Sequence, residues 1–112
     1  MELASRPLDK LTVITLGGRL DAYTASTLIK ELDQRATATP ANVLVNLNSV
    51  NFIDSTGLAA LVQGMKRCRE HKGDLRLCGL QRPTRMIFEL TRLDKAFEIF
   101  ATEAEGIASF NG

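Results

Sequence analysis

The chain opens on two short apolar-alternating runs, Glu2 to Arg6 and Leu11 to Leu16, joined by Pro7 to Lys10. Alternation with period two and a turn-rich joint predict a β-hairpin, with Gly17-Gly18 punctuating its second strand. From Ala25 the pattern changes. Apolar residues recur at Leu28, Ile29, Leu32 and Ala36, the spacing of one buried helical face, and Thr37 to Ala41 with Pro40 ends the run. Asn42 to Asn48 is too short for a helix, and its Val43, Leu44, Val45 and Leu47 predict an interior strand leading into Val50, Phe52 and Ile53. Directly after Asp54-Ser55-Thr56-Gly57, a second helical face runs through Leu58, Leu61, Val62, Met65 and Cys68, with Gly73 as its expected C-cap.

Asp74 to Gly79 reads as another strand. Pro83 falls in the first turn of a helix through Met86, Ile87 and Leu90. Phe97 to Phe100 predicts a last short strand, and Thr102 to Phe110 a loose terminal helix weakened by Gly106. A hairpin followed by alternating helices and strands predicts an α/β fold: a mostly parallel mixed β-sheet with an N-terminal antiparallel hairpin and packed α-helices.

Composition narrows the picture. At 112 residues, 1–112 is expected to form a single domain, and 45% hydrophobic with 24% charged residues matches a globular chain. Fourteen Lys and Arg against thirteen Asp and Glu leave a net charge of +1, so no global field selects nucleic acid or an anionic membrane. The N-terminus lacks a signal-peptide pattern, and no apolar stretch approaches the ~20 residues a membrane helix needs. The expected location is cytoplasmic. Cys68 and Cys78 suit neither a disulfide framework nor a four-ligand zinc site, and are expected as buried thiols. No cofactor motif is present.

The candidate chemistry lies in Asn51-Phe52-Ile53-Asp54-Ser55-Thr56-Gly57-Leu58, where an interior strand meets a strongly amphipathic helix. Helix N-termini at the carboxyl ends of strands expose unpaired N–H groups. One of Asp54, Ser55 or Thr56 can simply cap the helix. Alternatively Ser55 is a phosphorylation switch, since the helix start tolerates the phosphate while a partner pressed on that surface meets new charge.

Three catalytic readings fail. The Asp-Ser-Thr-Gly string has two residues between Asp54 and Gly57, where an aspartic-protease motif has one. The sole histidine, His71, stands sixteen residues beyond Ser55, about 24 Å along a helix at ~1.5 Å per residue, so no serine-hydrolase pair forms. His71 instead suits the helix C-terminus. No glycine-rich turn runs into Lys-Ser or Lys-Thr, so a P-loop is absent. Lys66 to Lys95 holds nine Lys and Arg against four Asp and Glu, but Phe88 is its only aromatic, which favours a solvated face over nucleic acid.

The run from Val43 through Asp54-Ser55-Thr56-Gly57-Leu58, with Leu61 and Gly73-Asp74-Leu75-Arg76-Leu77, resembles the STAS domain family, specifically the bacterial anti-sigma factor antagonists. Gly18-Arg19-Leu20-Asp21 with Thr24 and Ala25, and Leu90 to Phe97, extend the resemblance over nearly the whole chain. The resemblance implies a non-enzymatic regulator of transcription by partner switching. Its unphosphorylated form would bind an anti-sigma factor that is also a serine kinase, releasing the sigma factor. Phosphorylation of Ser55 would abolish binding, and a metal-dependent serine phosphatase would restore it. Asp21, Thr24, Asp54, Thr56, Gly57 and Leu58 would form the partner-binding surface, with Thr56 standing where relatives often carry a second serine. Asn46 replaces a commonly acidic strand residue, which is expected to remove a charge near the switch loop. Other members of the family act as scaffolds or transporter-associated subunits that bind a partner without phosphorylation, which is the alternative reading.

Overall fold

The structure is a computed structural model describing residues 2–111. Its sheet contains β1 (Glu2–Pro7), β2 (Thr12–Leu20), β3 (Asn42–Ile53), β4 (Asp74–Cys78) and β5 (Ile99–Phe100), in spatial order β1-β2-β3-β4-β5. β1 pairs antiparallel to β2, and every later pairing is parallel. The helices are α1 (Ala25–Arg35), α2 (Ser55–Glu70), α3 (Arg82–Leu90) and α4 (Glu103–Ser109), with a 3-10 turn over Leu93–Lys95.

Both faces of the sheet are covered, which is why β3 reads as a near-continuous apolar run rather than an alternating one. Val43, Val45 and Leu47 enter the larger core with Leu28 and Leu32 of α1, Leu61 and Met65 of α2 and Phe88 of α3. Leu44 faces the other way and joins Leu11, Val13 and Cys78 under Ile107 and Phe110. Phe88 meets Phe97 edge-on at 5.8 Å between centroids, so it is a core ring and not a surface one.

Four expectations change. Gly17-Gly18 does not end β2: the strand continues to Leu20, shifting register against β3 on either side of the pair, with Gly18 at φ 88°. On α3, Thr84 and Phe88 are buried while Met86 and Leu90 are 51% and 81% exposed, so the inward face is set by Phe88 rather than by the Met86 and Leu90 pattern. The left-handed residue closing α2 is Lys72 (φ 64°), whose N–H bonds the Arg69 carbonyl while that of Gly73 reaches Cys68, a Schellman arrangement. Gly73 is there because a side chain would collide with the Ala41 backbone. Gly106 does not loosen α4 against the sheet: a Cβ there would lie 2.7 Å from Leu44, so its absence lets the helix seat on the core.

Candidate functional site

β2 and β3 run parallel and finish together, with Leu20 opposite Ile53. The turns that follow therefore emerge side by side at the carboxyl edge of the sheet, and each opens a helix. The two are tied: the Asp54 N–H donates to the Leu20 carbonyl at 3.2 Å. Gly57 closes the packing, because a Cβ on it would stand 2.5 Å from the Leu20 oxygen.

Asp54 is the N-cap of α2. Its backbone is extended, and its side-chain oxygen accepts from the Gly57 N–H at 3.0 Å. Such a cap contributes about 1 kcal/mol. Ser55 is the first helical residue and is exposed, as is Thr56. Capping is thus done by Asp54, and the Ser55 hydroxyl stands at a helix start whose first N–H groups lie beyond the reach of the helix's own carbonyls. A dianion attached there would lie at the positive end of a sixteen-residue helix.

The neighbouring turn is fixed by its own polar groups. The Asp21 carboxylate accepts from the N–H groups of Tyr23 at 3.0 Å and Thr24 at 3.3 Å. The Thr24 hydroxyl accepts from the Asp21 N–H at 2.9 Å, with the Arg19 carbonyl at 2.9 Å as its acceptor. Partial burial pushes the Asp21 carboxyl up, but hydrogen bonds from Tyr23, Thr24 and Arg19 outweigh it and hold the group below its ordinary value. Arg19 in turn lies over the Phe52 ring at 3.8 Å, linking the ends of β2 and β3 on the opposite side of the sheet from Leu20 and Ile53.

The expected partner residues thus separate into two groups. Ser55 and Thr56 are exposed, and Asp21, Thr24 and Asp54 are partly so. Gly57 and Leu58 are buried, Leu58 at 8% exposure in the main core. They are not surface contacts: Leu58 anchors the helix, and Gly57 lets it approach Leu20. Asn46 is likewise displaced from its expected place. It lies seven residues before Ile53, roughly 23 Å along a strand at ~3.3 Å per residue, and its amide donates to Glu103 of α4 at 2.8 Å. A carboxylate at this position would face Glu103.

Four of the nine basic residues between Lys66 and Lys95 are held in ion pairs, Arg67 with Asp33, Arg69 and Arg76 with Asp74, and Arg85 with Glu89. Cys68 and Cys78 are free and buried, and burial pushes both thiols up to about 11. Among the described residues no helix is long and apolar enough to cross a membrane.

Fold and site define an α/β domain that displays a serine at a helix start beside a second, rigid turn. The chain belongs to the STAS domain family, whose model matches residues 3–106. It is similar to the anti-sigma-B factor antagonist of Listeria monocytogenes, 30% identical over 105 residues covering 94% of this chain and 91% of that protein. An anti-sigma factor antagonist from Mycobacterium paratuberculosis has the same fold, with a TM-score of 0.89 at 22% identity, over 99% of this chain and 94% of the other. So does the phosphorylated form of the Bacillus cell fate determinant SpoIIAA, with a TM-score of 0.76 at 21% identity, over 96% and 98% of the two chains.

Proposed function

We propose that this chain is an anti-sigma factor antagonist switched by phosphorylation of Ser55. Unphosphorylated, it binds a cytoplasmic anti-sigma factor with serine kinase activity and so frees a sigma factor. The kinase inactivates it by modifying Ser55, and a metal-dependent serine phosphatase reverses the change. The chain itself catalyses nothing in this cycle. It is substrate and ligand.

The observation that carries the reading is the division of labour between Asp54 and Ser55. Asp54 caps the helix, so the exposed Ser55 hydroxyl can be esterified without dismantling the cap. The modification adds about −1.5 to −2 charge. The helix dipole accommodates this on the fold, while the partner's surface meets a dianion beside Asp54. Switching thus requires no rearrangement of the domain.

Incubating the purified chain with an anti-sigma serine kinase and ATP, followed by peptide mass spectrometry, tests the assignment. The expected product carries one phosphate, on Ser55, removable by a metal-dependent phosphatase. An unmodified chain that still binds its partner instead indicates a scaffold or transporter-associated subunit.

A further inference from the structure

Tyr23 is 92% exposed, more than any other large hydrophobic side chain among the described residues. Its main chain is the reverse of free. The Tyr23 N–H is held by the Asp21 carboxylate at 3.0 Å, and the next residue is fixed through both its N–H and its hydroxyl. The ring is therefore mounted on a rigid turn and contributes little to packing within the domain. The exposed Ala22 beside it adds no competing bulk.

Position gives this ring its significance. Its turn is joined to the start of α2 by the Asp54 to Leu20 hydrogen bond and by the close approach of Gly57 to Leu20. A protein that closes over Ser55 therefore approaches the turn that carries Tyr23. The other strongly exposed apolar residues, Met86 and Leu90, sit on α3 and have no such tie to the serine. A tyrosine has few rotatable bonds to freeze and a large area to bury, which suits it as an interface anchor when its backbone is already ordered.

We propose that Tyr23 is the aromatic anchor of the partner surface, seating in an apolar pocket of the anti-sigma factor that acts on Ser55. The inference rests on the phosphorylation-switch reading of that serine. It assigns two tasks to adjacent turns: the ring supplies affinity, and Ser55 supplies the electrostatic control. Because the ring is uncharged, its contribution is not screened by salt, whereas the effect of the phosphate is.

The test uses the full chain and each purified anti-sigma serine kinase encoded in the source genome. Tyr23→Ala is expected to weaken binding of the unphosphorylated chain by about 30-fold or more, the effect of losing an interface hot spot. Tyr23→Phe, which keeps the ring, should stay within a few-fold of the unaltered protein. Both variants should keep its thermal midpoint, since the ring contributes little to packing within the domain. In phosphorylation assays Tyr23→Ala should raise KM while leaving kcat unchanged. Equal affinity of Tyr23→Ala and the unaltered chain overturns the anchor while leaving the Ser55 reading intact. An unaltered chain that binds none of these kinases overturns both.

Discussion

Gly57 and Leu20 are separated by less than a side chain: a Cβ on the glycine would lie 2.5 Å from the Leu20 carbonyl oxygen and 2.8 Å from its Cγ. This contact joins the helix that carries Ser55 to the turn that carries Asp21 and Tyr23. It makes two sequence-distant loops into one surface.

Gly57→Ala is accordingly expected to destabilise the domain, although alanine favours a helix by about 1 kcal/mol over glycine. The opposing atom is backbone and cannot rotate away, so the overpacking cost should be about 3 kcal/mol. The urea midpoint should fall, and amide chemical shifts from Leu20 to Thr24 should move with it. A variant as stable as the parent, with those shifts unchanged, contradicts the packing described.

Glu103 offers a test by pH. Its carboxyl is held below 4.5, first by the Arg6 guanidinium and then by the Asn46 amide, against a smaller opposing effect of burial. A lowered folded-state value means that the added stability is present in full above 4.5 and is lost as the pH falls through the folded value. Thermal midpoints of the parent and Glu103→Gln should therefore differ at neutral pH and converge below pH 4.5. A constant difference across that window would show that the charge on Glu103 is not what the interaction needs.

The cysteines should be inert in the folded state. Both are buried, with values near 11, so the thiolate required for attack is scarce at neutral pH. Ellman's reagent should register almost no thiol in the native protein and two per chain in denaturant. Rapid native labelling would contradict the burial of at least one of them.

Most of the fold was legible from hydrophobic spacing, because a sheet covered on both faces leaves long apolar runs and its helices keep a strong amphipathic stripe. What escaped depends on tertiary neighbours. Gly17-Gly18 looks like punctuation, but parallel pairing with β3 carries the strand through it. Gly106 looks like a weak point until Leu44 is placed beneath it. Asn46 faces α4 because strand parity puts it on the side of Leu44, and its partner is 57 residues away in sequence. Within the site, Asp54 and Ser55 were visible from the motif and Leu58 from the apolar helical face, whereas the burial of Gly57 depends on Leu20 lying against it. Tyr23 belongs to no periodic pattern, and its exposure emerges only once the turn is built.

A phosphate on Ser55 alone is expected to separate the binding and non-binding states of an unchanged fold. Titrating an anti-sigma serine kinase with the unphosphorylated chain and with the chain stoichiometrically phosphorylated at Ser55 measures this directly. An unpaired charge forced into an interface costs about 2–5 kcal/mol, so affinity should fall by roughly 30-fold to several thousand-fold. Equal affinity of the two forms would show that phosphorylation of Ser55 does not control binding.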